Sequence, residues 1–338
     1  MKVSDRRRLP RVELDIPVFG LGCAQMGNLY RVTPYDEAKA TFDAAWNADV
    51  RYFDTAPYYG FTRSELRLGT MLGEHAREDY VISTKVGRVM TPDASVGDHE
   101  NDFVDPLPFR PVFDYTYDGI MRSFEASQSR LGILSPDILY VHDIGAAQHG
   151  DEHAHYWNQI TTGGGFRALE YLRREGSAKA VGLGVNDAEI IKQTMDVFDL
   201  DIAMLAGRYT ALEQESLVVL DRCVERGVGV VIAGVFNSGL LAGNRKFNYA
   251  DAPVHLLERV DVLDGICRDA GVSLPAVALQ FAAAHPAVVS VVSGARNAGQ
   301  IKSNIAWFEE DIPVSIWSDL QSRGIFVDRT PLPTGDRP

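Results

Sequence analysis

Cysteine is scarce in this sequence: Cys23, Cys223 and Cys267 are all it has. An odd, widely spaced trio is no disulfide framework and fits a reducing compartment. Without a C-x-x-C pair there is also no sign of a zinc site. Positive charge is in deficit as well. The 33 Lys and Arg against 46 Asp and Glu leave a formal charge of −13, which argues against a nucleic-acid partner, since phosphate contacts need clustered basic side chains. The short basic run Arg6 to Arg8 reads as a solvated N-terminal arm. No apolar run approaches the ~18 residues that a membrane span needs, and the opening MKVSDRRRLP lacks the apolar stretch of a signal peptide. The expectation is a cytoplasmic protein acting on a small molecule, with neither nucleic acid nor membrane as partner. Oligomeric state leaves no mark in the sequence.

What is present is a large apolar fraction, 46% of 338 residues, enough for a sizeable core. Short Val- and Ile-rich runs alternate with longer amphipathic stretches. The runs are VFGLG (18–22), RYFDT (51–55), YVISTK (80–85), DILYVH (137–142), AKAVGLGV (178–185), DIAMLAG (201–207), VGVVIAG (228–234) and VVSVVSG (288–294). Continuous apolar runs of this kind suit parallel strands covered on both faces. Eight of them in strict alternation with helical patterns predict an α/β fold, a closed (β/α)8 (TIM) barrel. The competing open doubly wound sheet wants G-x-G-x-x-G at its first turn; here Gly20, Gly22 and Gly27 break that spacing. No linker divides the chain, so residues 1–338 read as one domain, with the barrel at about 17–310 and a C-terminal extension over 311–338.

Two connections are unusually long. Residues 86–116 carry Pro92, Pro106, Pro108 and Pro111 and little periodicity, and a second irregular stretch runs over 143–165. Both follow the C-terminal end of a strand, the face where such barrels build active sites. Four polar residues fall at the same face: Asp54 ends the second strand, Tyr59 follows it, Lys85 ends the third and His142 the fourth. Singly, each has a bland reading as packing or a solvated rim. Together they have a chemical one. A free tyrosine, with a pKa of about 10, is too weak a base at neutral pH. A neighbouring ammonium stabilises the phenolate and lowers that value. Lys85 is placed to do so, Asp54 to hold Lys85, and His142 to orient a substrate oxygen.

The segment FDTAPYYG (53–60), with Lys85 in ISTKVG and His142 in YVHD, resembles the signature of the aldo-keto reductases. The resemblance extends over nearly the whole chain. It implies a (β/α)8 barrel, a nicotinamide cofactor lying extended across the mouth, and a catalytic tetrad of Asp54, Tyr59, Lys85 and His142. The stretch AGVFNSGLLAG (233–243) resembles the family's pyrophosphate loop, which implies Phe236, Asn237, Ser238, Gly239 and Leu241 as cofactor contacts through free backbone N–H groups. SGARNAGQIKSN (293–304) resembles the adenosine-binding segment and implies Ser293, Gly294, Ala295, Arg296, Gln300 and Asn304. Gly22, Asn186 at the end of the fifth strand, and Tyr209 stacking on the nicotinamide ring complete the set. NADPH-dependent members carry Lys and Arg where Gly294 and Gln300 stand here, so the cofactor expected is NAD or NADP, with NAD slightly favoured. No metal is implied.

Within the family, FDYTYDGIMRSFEASQSRLG (113–132), VHDIG (141–145), GLGVN (182–186) and AGRYT (206–210) resemble the L-fucose, D-arabinose and D-threo-aldose 1-dehydrogenases and pyridoxal 4-dehydrogenase. That implies oxidation of a cyclic hemiacetal hydroxyl to a lactone, with Tyr59 as general base, on an aldose or on pyridoxal. Asp98, His99, Asp102, Asp143, Tyr156 and Trp157 are the polar and aromatic loop residues offered to a sugar. The other readings are a general NADPH-dependent aldehyde reductase, a cofactor-binding subunit without activity, and a metal site at His149, His153 and His155.

Overall fold

The structure is a computed structural model that describes residues 1–244, 246–247 and 250–333. Eight strands close into a parallel barrel: β1 (Phe19–Gly22), β2 (Tyr52–Asp54), β3 (Val81–Val86), β4 (Ile138–His142), β5 (Ala180–Val185), β6 (Ile202–Ala206), β7 (Gly229–Ala233) and β8 (Val288–Gly294). Each neighbours the next in sequence, and β8 returns to β1, pairing Val291 with Phe19 and Gly294 with Gly22. Every strand falls on one of the eight apolar runs, so the expected barrel is what forms.

The outer ring comprises α1 (Tyr35–Asn47), α2 (Arg63–Leu72), α3 (Tyr117–Leu131), α4 (Gly165–Arg174), α5 (Ala188–Thr194), α6 (Leu217–Arg226), α7 (Leu274–Ala282) and α8 (Ala298–Phe308). Local chemistry sets the ends of α3. The Thr116 side chain accepts the Gly119 N–H, and Gly132 closes the helix in the left-handed region at φ 65°, as capping requires. After the barrel, a helix over Val314–Ser322 buries Trp317, and Phe326 stacks on Phe281 of α7 at 4.5 Å. Residues 334–338 of the expected C-terminal extension lie outside the described residues.

The N-terminal face is sealed. Arg6–Arg8 is not a solvated arm: it pairs antiparallel with Asp15–Pro17, and the Arg7 guanidinium donates to the carbonyls of Ala283 (3.0 Å) and Val288 (2.6 Å). This hairpin drives Leu9, Leu14 and Ile16 into a cluster with Tyr52, Val81, Ile138, Ile202, Met204 and Val289 inside the barrel. Two aspartates lock the strand starts. Asp137 Oδ2 accepts the Ile82 N–H at 2.9 Å, and Asp201 Oδ2 accepts the Val181 N–H at 3.0 Å.

The two long connections, read as irregular, are ordered secondary structure. Residues 86–116 contain a ribbon of Arg88–Pro92 against Phe109–Phe113 and a smaller hairpin of His99–Glu100 against Phe103–Val104. Residues 143–165 hold helices over Ala146–His149 and His153–Ile160. The prolines hid the ribbon. Pro111 sits opposite Met90 in a two-stranded ribbon, where both strands are edges and a missing N–H donor is tolerated.

Candidate active site

Asp54 and Lys85 meet inside the barrel mouth. Lys85 Nζ lies 2.7 Å from Asp54 Oδ2 and donates to the Thr55 carbonyl at 2.9 Å, and both side chains are buried. Ser83, two residues before Lys85 on the same face of β3, donates to the other carboxylate oxygen, Oδ1, at 2.7 Å. Beneath it, Tyr52 Oη lies 3.1 Å from Ser83 Oγ, which extends the polar chain toward the floor. The Lys85 stem runs past Gly184 of β5, where a Cβ would stand 3.4 Å from Lys85 Cε.

Tyr59 stands over this pair, its ring centroid 4.7 Å from Lys85 Nζ. The next residue explains how the loop reaches that position. Gly60 adopts φ 64°, and a Cβ there would fall 2.2 Å from the Gly27 carbonyl oxygen. Only glycine allows the β2 loop to press on the β1 loop so closely. The His142 ring meets the Tyr59 ring edge-on, with centroids 5.9 Å apart. The four residues expected to act together are therefore brought together.

Their electrostatics differ from expectation at one point. Burial pushes the Tyr59 phenol up to about 12, and Lys85, although it pulls the value down, does not overcome that. A net lowering was expected. For Lys85, burial works against the charge, but Asp54 and Tyr59 outweigh it and hold the ammonium pKa above its usual value. His142 is pushed far below its usual range by burial, then by Arg88 and Lys85. It is a neutral imidazole at physiological pH, and its Nδ1 is buried with no hydrogen-bond partner.

Two charged residues complete the mouth: Arg88, which pattern reading passed over, and Asp143, one of the six loop residues offered to a sugar. Arg88, two positions past the end of β3, lies with its guanidinium 3.9 Å over the Tyr58 ring and 4.7 Å over the Phe113 ring. It pairs with Asp143, whose Oδ2 is also 3.4 Å from His142 Nε2. Arg88 lies three residues after Lys85, and that proximity was its only signal.

The residues expected to hold a cofactor ring the same face. Gly22 and Gly294 end paired neighbouring strands, and a Cβ on Gly294 would strike the Gln25 side chain at 2.6 Å. Ser293 and Asn304 are buried and joined, Asn304 Nδ2 donating to Ser293 Oγ at 2.9 Å. Ala295 is buried. Arg296 reaches back to the Leu29 carbonyl at 2.8 Å, and its own N–H is accepted by Gln300 Oε1. Asn297 caps α8 by accepting the Gln300 N–H. Asn186 is exposed at the end of β5, its carbonyl accepting from Arg208 Nε at 2.9 Å.

In the loop after β7, Phe236 packs edge-on to Trp307, and Asn237 Nδ2 donates to Glu213 at 2.7 Å while its Oδ1 is buried without a partner. Asn237, Ser238 and Gly239 all take positive φ. The N–H groups of Asn237, Gly239 and Leu241 are not free, as had been expected, but donate to carbonyls of Gly234 and Phe236, and the Leu241 side chain is fully buried. Tyr209 is not brought to the mouth at all. It is wholly buried, stacked on Phe281 at 5.2 Å and edge-on to His285, because the chain turns at Gly207 (φ 68°) and folds it onto α7.

The three histidines weighed as a metal site diverge. His149 is buried against Tyr115, His153 packs near Trp157, and His155 bonds to Gln159. Among the described residues no group of three His, Cys, Asp or Glu side chains converges, and no helix is long and apolar enough to cross a membrane.

A parallel barrel whose mouth carries a tyrosine beside a buried lysine–aspartate pair, ringed by small-residue segments after β7 and β8, defines a nicotinamide-dependent oxidoreductase of the barrel class. The comparisons agree, and the chain belongs to the aldo/keto reductase family, which matches residues 18–323. It is 46% identical to a pyridoxal 4-dehydrogenase of Microbacterium luteolum, over 96% of this chain and 99% of that protein. It is 40% identical to a D-threo-aldose 1-dehydrogenase of Pseudomonas, over 91% and 94%. In fold it is similar to an aldo-keto reductase of Bacillus halodurans in its holo form, with a TM-score of 0.72 at 21% identity, covering 94% of this chain and 95% of that one. The chain is an NAD(P)-dependent oxidoreductase.

Proposed function

We propose that this enzyme oxidises the hydroxyl of a cyclic hemiacetal to a lactone, with an aldose of the L-fucose or D-threo type as substrate. The observation that carries the reading is the Tyr59–Lys85–Asp54 arrangement, with a 2.7 Å ion pair buried under the phenol. Bound across the mouth, NAD(P)+ supplies the hydride acceptor. The residues present suit such a group: Gly294 is exposed at the end of β8, with the Gln25 side chain packed against it, and Asn237 Oδ1 is a buried acceptor without a partner.

The protein's own part is proton transfer and orientation. Tyr59, as phenolate, takes the hydroxyl proton; the carbon–hydrogen bond breaks with its electron pair leaving as hydride, and the carbon–oxygen double bond of the lactone forms. Lys85 stabilises the phenolate, and Asp54, fixed by Ser83, holds Lys85 in place. Neutral His142 hydrogen-bonds the reacting oxygen without adding a proton to it. Proton transfer of this kind contributes about 10² to 10⁴-fold.

For the cofactor we favour NAD slightly. Gly294 and Gln300 present no cation at the end of β8, and Arg296 is engaged with the backbone of the β1 loop. Pyridoxal is the second reading, supported by the 46% identity to a pyridoxal 4-dehydrogenase; its cyclic hemiacetal offers the same carbon–hydroxyl unit.

The test is to follow NAD(P)H absorbance with L-fucose, D-arabinose, L-galactose, D-glucose and pyridoxal, alongside Tyr59→Phe. The expected result is lactone formation from a threo-configured sugar, lost in the variant. Turnover of pyridoxal alone moves the substrate and keeps the chemistry. Reduction of simple aldehydes with no oxidation of any hemiacetal would overturn the reading in favour of a general reductase, and cofactor binding without turnover would leave a non-catalytic subunit.

A further inference from the structure

The mouth holds two buried ion pairs, and the chemistry above uses only one. Lys85–Asp54 serves the phenol. Arg88–Asp143 touches neither Tyr59 nor Lys85 directly, yet it is built with care. Arg88 is 6% exposed, clamped between the Tyr58 and Phe113 rings, and its Nε is buried with no partner. Asp143 takes a left-handed backbone at φ 49°, a strained choice for a residue with a side chain. Its N–H donates to the Gly184 carbonyl at 3.0 Å, and Tyr115 Oη donates to the carbonyls of His142 (2.9 Å) and Asp143 (3.2 Å). The end of β4 is thus fixed from two sides with the carboxylate beside the catalytic imidazole.

A pair this buried costs desolvation that its own attraction barely offsets, so it is weak evidence for stability. What it provides is a charged acceptor at a defined place. The Asp143 side chain stays 20% exposed while its cation is covered, so the open part of the pair is the carboxylate. Its contact with His142 Nε2, at 3.4 Å, is long for a hydrogen bond and yields readily when the imidazole turns its N–H to a substrate oxygen. A carboxylate 3.4 Å from the imidazole assigned to the reacting oxygen is within reach of a substituent on the neighbouring carbon.

We propose that Asp143, held by Arg88, is a specificity-determining residue that accepts a hydrogen bond from the hydroxyl on the carbon next to the reacting one. The inference rests on the hemiacetal reading for its choice of sugars but not for its logic, since any 2-hydroxy carbonyl presents the same group. A site built to bond a substrate hydroxyl rejects the analogue lacking it strongly, by as much as about 10⁴-fold, because the carboxylate then loses its water and keeps Arg88 but gains no hydroxyl donor in exchange.

Two substrate pairs test it on the full-length enzyme. D-arabinose against 2-deoxy-D-ribose (the same pentose without its 2-hydroxyl) is read as oxidation, and lactaldehyde against propanal as reduction. Wild type is expected to favour the hydroxylated member of each pair by at least about 100-fold in kcat/KM. In Asp143→Ala that ratio collapses to within about five-fold, chiefly because the hydroxylated member loses. Asp143→Asn, which keeps an uncharged acceptor, falls between the two.

Equal losses on both members of a pair would mean Asp143 only supports the fold or His142, and would overturn the proposal. So would a wild type that does not discriminate. Thermal melting identifies a variant that fails to fold, in which case Arg88→Lys takes its place: it keeps the charge, loses the planar clamp, and is expected to lower the ratio about ten-fold. If neither pentose is oxidised, the sugar reading fails while the aldehyde pair still decides the role of Asp143.

Discussion

The two ends of this barrel are made from the same eight strands and solve opposite problems. At the floor, Leu9, Leu14 and Ile16 fill the barrel's interior, and the charges are spent on holding strands. Asp137 and Asp201 each accept a backbone N–H and pair with Arg77 and Arg173 at the edge of solvent. At the mouth, Lys85–Asp54 and Arg88–Asp143 are buried as pairs, and His142 Nδ1, Arg88 Nε and Asn237 Oδ1 lie buried without partners. The floor is satisfied where it matters for folding. The mouth keeps polar groups out of water and unspent, which costs stability and leaves donors and acceptors for a ligand.

The sharpest way to break this comparison is to remove one mouth charge. Lys85→Met leaves Asp54 buried and unpaired, which should cost about 3–5 kcal/mol of stability and abolish most activity. Adding Asp54→Leu should return much of the stability, because a buried pair exchanged for apolar groups is often close to neutral, and return no activity. Denaturant titration and initial rates on both variants check this. Activity restored along with stability would mean the pair serves folding.

At the floor the expectation reverses. Leu9→Ala removes a side chain 1% exposed from the hydrophobic plug and should cost about 2–5 kcal/mol, measured by denaturant unfolding. Well below the melting temperature, kcat/KM should stay within about two-fold of wild type, since activity at this face is not expected. A large change in kcat/KM without a change in affinity for cofactor would show that the two ends are coupled.

How much of this could be read from residue order follows the same division. The eight strands were legible because each falls on a short apolar run, and the meeting of Asp54, Tyr59, Lys85 and His142 because three of them stand at or next to strand ends and Tyr59 follows in the loop after β2. Arg88 was not, since a lone charge beside a motif looks like any solvated rim charge and only folding shows that it is covered; Asp143 was picked out only as one of six loop candidates, with nothing to rank it. Tyr209 was misplaced for the same reason: AGRYT says that an aromatic follows β6, and only the turn at Gly207 decides that it faces α7. The ribbon at residues 88–113 was invisible because proline breaks the alternation that marks a strand, although an edge position tolerates it.

Titration separates the two directions of the reaction. With the phenol pushed up to about 12 by burial, Tyr59 is protonated and ready to donate throughout the neutral range, so kcat/KM for aldehyde reduction should be flat from about pH 6 to 9. Oxidation needs the phenolate, and its kcat/KM should rise nearly ten-fold per pH unit over the same range. The rise should vanish in Tyr59→Phe. His142, pushed well down by burial, then by Arg88 and Lys85, should add no step across the neutral range. A bell-shaped reduction profile centred near neutrality would show that some other group carries the proton.

The smallest effect expected lies behind the mouth, at His149. Burial, then Arg88 and His153, lower its pKa to about 4, and its Nε2 lies 3.0 Å from Tyr115 Oη. The unfolded chain titrates near the ordinary histidine value of about 6.5, so below that pH it binds a proton that the folded state refuses. Stability therefore falls as the pH drops from about 6.5 and levels off below about 4. His142, shifted the same way, contributes in the same sense. His149→Gln keeps a polar partner for Tyr115 and removes the titration, so the decline in melting temperature between pH 6.5 and 4 should become shallower without disappearing. An unchanged slope would assign the whole acid sensitivity to His142 and the carboxylates. That outcome would confine the cost of burying titratable groups to the mouth itself and exclude the supporting layer behind it.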